Sequence, residues 1–297
     1  MSHNIAHPIG ESELILTAHG TIYHLDIAPE HLAPTVIFVG DPGRVKEVSK
    51  HFDEVTHTAH HREFITHTGR IGDKPMTVVS TGIGPDNIDI VFNELDALVN
   101  IDFNTRAIKE EKTSLSIFRL GTCGALQTDI HTDGLVISSH AIGLDNLMHY
   151  YKMHNTPDES YILNEFRHHT RLDMSHIIPY ISESSIALRK YFGAPYQHGI
   201  TVTCPGFYGP QGRTLRLQPA FPHLLDAMGT FRCQNHRIVN FEMETSAIYG
   251  LGKLLGHKCL SINSVVANRA NKTFSKDHKK AVNNMISGAL EIISSIS

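Results

Sequence analysis

No Cys-x-x-Cys pair, no His-Glu-x-x-His motif and no basic stripe occurs in these 297 residues. Each absence excludes a class of function. The four cysteines, Cys123, Cys204, Cys233 and Cys259, stand far apart. That suits free thiols in a reducing, cytoplasmic setting rather than a disulfide framework. Histidine is plentiful, at 22, but the pairs His60-His61 and His168-His169 lack the ligand spacing of a zinc site. Most histidines are therefore read as surface or hydrogen-bonding groups. A net charge of −4 without a basic stripe offers no footprint for nucleic acid. No apolar run is long enough to span a bilayer. Met1-Ser2-His3-Asn4 lacks the charged-then-apolar layout of a signal peptide. Repeats and low-complexity tracts are missing as well.

What is present is 41% hydrophobic and 19% charged residues, enough to bury the core of a large α/β unit. The chain reads as a single domain over residues 1–297. Within it, 1–31 is polar and irregular, an N-terminal arm lying on the body or reaching a neighbour.

The stretch that organises the rest is Val239-Asn240-Phe241-Glu242-Met243-Glu244-Thr245-Ser246-Ala247. Residues 237–241 read as the end of a buried strand. Residues 247–255 read as helix, with Ile248, Leu251, Leu254 and Leu255 at helical spacing. Two carboxylates thus stand where strand gives way to helix, the edge at which open α/β folds bind ligands. Glu242 and Glu244 share a face if the segment is extended. Carboxylates only accept hydrogen bonds, which suits the vicinal hydroxyls of a ribose. A second reading of equal weight makes Glu244 an acidic residue in a first helical turn, favoured by the dipole.

The rest of the chain alternates strands and helices, the α/β pattern. Thr35–Val39 is an apolar, β-branched run, hence a buried strand. It leaves through Gly40-Asp41-Pro42-Gly43-Arg44 into a helix. Glycine amides and an early arginine at such a junction suit an oxyanion, although Asp-Pro-Gly is also a common turn. Residues 63–68 and 75–81 read as strands joined by a turn at 69–74. The second leaves through Ser80-Thr81-Gly82-Ile83-Gly84-Pro85 into a helix with Ile88, Val91, Phe92, Leu95 and Leu98 on its apolar face. Residues 100–113 read as an exposed extension of that helix and a loop. Residues 116–120 form a strand running into a turn at 121–126. An arginine inside it, Arg119, is expensive unless it meets an anion, and Thr122 adds a hydroxyl. A strand at 134–142 and helices around 161–168 and 184–191 follow. A strand at 199–204 then enters a loop carrying Phe207, Tyr208, Gln211 and Arg213. Such a loop can stack on a flat ring and bond its edge, or be plain surface. The last strand, 258–267, ends at Asn268-Arg269. An amphipathic helix at 276–296 turns Ala281, Met285, Ala289 and Ile292 or Ile293 inward.

The order of the motifs is more specific than any one of them. Gly-Asp-Pro-Gly-Arg, His-Arg-Glu-Phe, Ser-Thr-Gly-Ile-Gly, Arg-Leu-Gly-Thr-Cys-Gly-Ala-Leu-Gln, Phe-Tyr-Gly-Pro-Gln-Gly-Arg, Phe-Glu-Met-Glu-Thr and Ala-Asn-Arg follow one another. From about Tyr23 onward the chain resembles the trimeric/hexameric nucleoside phosphorylase superfamily, and within it the uridine phosphorylases. The resemblance implies a three-layer α/β/α fold with a mixed, distorted central sheet. It implies a homo-oligomer, dimer or hexamer, with shared active sites. Gly40, Arg44, Arg119 and Thr122 would hold phosphate, and Arg62 would reach the phosphate of a neighbouring subunit. His24 would likewise cross to a neighbour's ribose. Glu242, Met243 and Glu244 would hold the ribose, Phe207, Gln211 and Arg213 the uracil, and Arg269 would order that pocket. A monovalent cation, K+, at a dimer interface through Glu63 and the Ile83 carbonyl belongs to the same resemblance, with Asn87 where some bacterial members have serine. Gly43 replaces a commoner aspartate, and Cys123 a commoner threonine or serine. No redox or organic cofactor is implied, and no nucleic acid or membrane partner.

The implied reaction is reversible phosphorolysis of uridine to uracil and ribose 1-phosphate, with Arg44, Arg119, Glu244, Gln211 and Arg213 as the catalytic groups. Three competing expectations stand beside it. A hydrolytic nucleosidase has no reason to hold Arg44, Arg62 and Arg119. A purine nucleoside phosphorylase typically carries an aspartate near Asn268. A non-catalytic nucleoside or anion sensor would tolerate loss of groups needed only in the transition state.

Overall fold

Thr35–Val39 (β1) buries all five side chains, because helices cover both faces of its sheet. The computed structural model describes residues 8–296. In chain order β1 is followed by the helix Pro42–Ser49 (α1) and the strands Glu54–His61 (β2), Phe64–Ile71 (β3) and Lys74–Ser80 (β4). The helix Pro85–Asn100 (α2), the strands Ser116–Ala125 (β5) and Leu135–Gly143 (β6) and the helix Pro157–His169 (α3) come next. The strands Gln197–Thr203 (β7) and His236–Glu242 (β8), the helix Thr245–Leu255 (α4), the strand Lys258–Asn268 (β9) and the helix His278–Ser295 (α5) complete the order. Alternate residues of β1 face opposite layers. Val36 and Phe38 pack with Phe92 of α2 and Leu251 of α4. Ile37 and Val39 pack with Val45 of α1 and Met285 of α5. The expected three layers and mixed sheet are present.

The longer strands lie in the order β8-β7-β6-β9-β5-β1-β4-β3-β2. The sheet does not stay open. Asn240 and Phe241 of β8 pair antiparallel with Ala125 and Gly124 of β5, so β5, β9, β6, β7 and β8 close into a ring. β5 therefore serves two partners on one side. Its first residues, Ser116 to Arg119, pair with Thr35 to Phe38, and its last join β8. Between those contacts the sheet parts, which is the distortion the fold expectation named. A change of strand partner of this kind is where α/β sheets bind ligands.

Several local expectations are corrected. The turn expected at 69–74 shrinks to Gly72 and Asp73, because β3 runs to Ile71 and β4 starts at Lys74. β2 was not expected at all; it is polar and mostly exposed. The turn expected at 121–126 is strand as far as Ala125. Residues 101–108 form a small hairpin, Ile101–Asp102 with Ala107–Ile108, instead of extending α2. A short strand, Tyr180–Glu183, pairs with β6, and the helix expected at 184–191 is one turn, Ile186–Arg189. Of the two isoleucines offered for the inner face of α5, Ile293 is the buried one. Residues 1–7 of the expected arm lie outside the described residues. The remainder is anchored: Leu14, Ile22, Leu25 and Ile27 are buried in the core beside α2. Arg106 of the hairpin also donates to the carbonyls of Ile9, Gly10 and Leu14. Among the described residues, no helix is long and apolar enough to cross a membrane.

Candidate active site

A cavity of about 800 Å³ occupies the parting of the sheet. Gly40, Arg44, Arg119 and Thr122 line it, as do Glu242, Met243, Glu244, Phe207, Gln211 and Arg213. Glu63, Ile83 and Asn87 reach the same space.

One wall carries two guanidiniums, Arg44 and Arg119. Arg119 lies buried along β5, its guanidinium over Gly121, where a Cβ would fall 1.8 Å from Nη1. Only glycine leaves that room. Nη2 lies between two carboxylates, Glu242 at 3.1 Å and Glu244. Nη1 donates to Asn263 Oδ1 at 2.5 Å. Burial opposes the charge on Arg119, but Glu242 and Glu244 outweigh it and raise its pKa. Arg44, from the first turn of α1, donates to the Leu120 carbonyl at 3.3 Å. Its pKa is lowered, first by burial and then by the like charge of Arg119.

The two glutamates differ in what they have left to offer. Glu242 Oε1 accepts from the Thr203 hydroxyl at 2.7 Å. Glu242 Oε2 accepts the backbone N–H groups of Glu244 and Thr245, each at 2.9 Å. With Arg119 alongside, its acceptor positions are filled by its own chain. Those amides are orphan donors at the start of α4, so Glu242 does the work of a cap. Glu244 is buried but less engaged. Its Oε1 accepts the Gly84 N–H at 3.0 Å and its Oε2 meets Arg119. Each oxygen keeps a further acceptor position. Gly84, at φ +101, precedes the first turn of α2, so the carboxylate sits at a helix N-terminus, where negative charge is favoured. Burial still lifts the Glu244 pKa, with Arg119 and the Gly84 N–H pulling the other way.

Two further arginines, Arg213 and Arg269, brace the Phe207–Gln211 loop. Arg213 donates to Gln211 Oε1 and to the Phe207 carbonyl. Its guanidinium carbon is 3.7 Å from the Phe207 ring centroid, a cation–π stack. Arg269 does not line the cavity; it donates to the Gln211 carbonyl from behind at 3.1 Å. The Arg213 pKa is lowered by burial and then by Arg269.

His24 and Arg62 stand outside the cavity. They share a patch in which the Arg62 guanidinium carbon is 5.9 Å from the Tyr23 ring centroid. His24 Nδ1 is 2.6 Å from Glu94. Arg62 is exposed and His24 only half-buried.

Thr203, Asn263 and Phe274 did not emerge from the sequence reading. Phe274 lines the cavity, and the other two hold its charged groups. A signal for Thr203 and Asn263 existed in the period-two polar pairs Thr201/Thr203 and Ser261/Asn263, which alternate with the buried apolar Val202 and Ile262. Cys123 also lines the cavity, and burial pushes its thiol up to about 12, so it stays protonated and a weak nucleophile. Among the described residues, no three His, Cys, Asp or Glu side chains gather as a metal site.

The family model of the phosphorylase superfamily matches residues 34–295. The uridine phosphorylase of Thermococcus kodakarensis is 30% identical over 281 residues, 93% of this chain and 88% of that one. A Trypanosoma brucei nucleoside phosphorylase, described as showing uridine phosphorylase activity, superposes with a TM-score of 0.88 at 31% identity. It covers 96% of this chain and 100% of its own. A purine nucleoside phosphorylase of Toxoplasma gondii shares the fold alone, with a TM-score of 0.66 at 19% identity over 94% of this chain and 98% of its own.

Proposed function

This chain belongs to the phosphorylase superfamily, and from that premise we propose that it is a uridine phosphorylase. It converts uridine and phosphate reversibly to uracil and ribose 1-phosphate. One observation carries the reading: a single cavity is lined by Arg44 and Arg119, by Glu244 and by the Gln211–Arg213 pair. Cations for an oxyanion, acceptors for a diol and a fork for a base edge are the groups that a nucleoside together with phosphate would need. The likeness to relatives named for this activity supports it.

In this reading phosphate lies against Arg44, Arg119 and Thr122 and attacks the anomeric carbon. The bond from that carbon to uracil N1 breaks, and its electron pair leaves with the base. Positive charge develops on the sugar, as in other glycosyl transfers. Glu244 takes the 2′- and 3′-hydroxyls and, as a nearby carboxylate, favours that charge. Gln211 and Arg213 donate to the carbonyl oxygens on which the departing uracil gathers negative charge. No covalent nucleophile is needed; positioning and charge matching supply the acceleration.

The charge balance supports a contribution from a second subunit. At the phosphate end the two guanidiniums, Arg44 and Arg119, are offset by the two carboxylates, Glu242 and Glu244. A phosphate dianion needs a further cation. The exposed Arg62, in a patch with His24, would supply it to the neighbour's cavity, with His24 on the ribose there. The protein works as a homo-oligomer in which each chain is one catalytic domain.

The direct test is uridine consumption with and without phosphate. Uracil should appear only with phosphate, in step with ribose 1-phosphate. Uracil release indifferent to phosphate would make the protein a hydrolase, and binding without turnover would make it a sensor.

A further inference from the structure

A side chain as long as that of Arg119 needs a group that aims its guanidinium. Asn263, on β9, pairs across from Gly121, the residue over which the guanidinium lies. The side chain is fully buried, and Oδ1 accepts from Arg119 Nη1 at 2.5 Å. The orientation of the amide is set from behind. Asn263 Nδ2 faces Ser261 Oγ at 3.2 Å and Ser138 Oγ at 3.3 Å. Those hydroxyls are held in turn, Ser138 by Thr201 at 2.5 Å and Ser261 by Thr245 at 2.9 Å. The polar chain thus crosses the interior of the strand ring and ends on the guanidinium.

We propose that Asn263 is a positioning residue that fixes the Arg119 guanidinium for phosphate; the inference rests on the uridine phosphorylase reading. Glu242 and Glu244 both draw Nη2. Unopposed, they would turn the whole fork toward themselves. Asn263 holds Nη1 on the other side, which leaves Nε–H and one Nη1 hydrogen for an anion. A neutral acceptor is the group this task needs. A third carboxylate there would hold the fork equally well, but it would make the wall net negative and repel the substrate.

The test compares wild type with Asn263→Ala, Asn263→Ser and Asn263→Asp. Phosphate affinity is measured by calorimetry on uridine-free protein, then KM for each substrate and kcat. In Asn263→Ala and Asn263→Ser, phosphate Kd and KM should rise about tenfold or more, the size of one charge-assisted hydrogen bond. KM for uridine should stay within about twofold. Asn263→Asp should lose more phosphate affinity at alkaline pH. It should regain it as pH falls and the new carboxyl, facing Arg119 with Glu242 and Glu244 beyond, takes a proton. Asn263→Ala has no such group and should lack that pH dependence. A merely structural role would raise both KM values together and show no such profile, which overturns the proposal. So would unchanged phosphate constants in the variants. If the alanine variant does not fold, the serine and aspartate variants carry the same comparison. Wild type that takes no phosphate would remove the phosphorylase reading itself before any variant is made.

Discussion

Thr203 donates its hydroxyl proton to Glu242 Oε1 at 2.7 Å and accepts the Ser246 backbone N–H at 2.9 Å. One hydroxyl therefore ties β7 to both the carboxylate and the first turn of α4. Glu242 is fastened on every side, while Glu244, two residues on, faces the cavity with acceptor positions to spare.

The two glutamates should fail differently. Glu244→Gln keeps the shape and loses the charge, so kcat/KM for uridine should fall about 100-fold or more with little change in melting temperature. Glu242→Ala leaves Arg119 short of a buried partner and strands two amide donors, and should lower stability by about 3 kcal/mol or more. Denaturant titration and steady-state kinetics on both variants check this. An unfolding midpoint unchanged in Glu242→Ala would show that the fastening is not structural.

Subunit mixing tests shared sites. Arg62→Ala and Arg44→Ala proteins should each be nearly inactive. Exchanged together, they should recover activity, because some hybrid cavities draw both arginines from intact chains. Verified exchange with no recovery would count against a crossing Arg62.

Base choice follows from the Arg213–Gln211 contact. Arg213 donates to Gln211 Oε1, so the amide oxygen is kept toward the arginine and the amide cannot turn over without losing that bond. Uracil offers an N3–H to the oxygen and carbonyls to the donors. Cytosine offers an acceptor at N3 and an amino group where a carbonyl is wanted, which leaves like groups opposed in a desolvated pocket. Discrimination of about 10⁴-fold is within reach of such a site. Uridine should therefore be preferred, cytidine nearly inert and inosine poor, as kcat/KM at saturating phosphate. Inosine matching uridine would move the protein to the purine enzymes.

Stability should depend on pH through His140. It is buried in β6, with the His236 ring at 4.9 Å. Burial lowers its pKa from 6.5 to about 4, with Glu183 opposing and His236 and Arg189 adding to the shift. The unfolded chain takes this proton near 6.5 and the folded chain does not. Stability from this group is full above that pH and is lost as pH falls toward about 4, roughly 3 kcal/mol in all. His140→Gln should flatten that part of the stability curve. An equal slope in the variant would assign it to other groups.

The sequence made some of this legible and hid the rest for physical reasons. β1 was plain because both faces are covered and Val36 to Val39 are all apolar, and β9 because Cys259, Leu260, Ile262, Val265, Val266 and Ala267 outnumber the polar residues among them. α4 was plain from its helical spacing. β2 was hidden because its polar, exposed residues carry no burial pattern. The length of β5 was hidden because Gly121 and Gly124 look like turn residues, whereas Gly121 is there to leave room for a guanidinium. Arg44, Arg119, Glu244, Gln211 and Arg213 each lie in or beside a short contiguous motif, so their candidacy could be read locally. Thr203 and Asn263 left only a period-two polar pattern, and their roles were hidden because their partners are distant in sequence; Asn263 meets Arg119 across 144 residues, a contact created by strand pairing.

That pairing also sets when the site can exist. β9 lies between β5 and β6, strands synthesised long before it, and it carries Asn263. Until β9 emerges from the ribosome, β5 and β6 have no strand between them and Arg119 has nothing opposite the glutamates. The cavity is therefore completed late in synthesis rather than grown step by step. A nascent chain must carry open strand edges through most of its translation, the condition under which chains with many long-range contacts fold slowly and stick to one another.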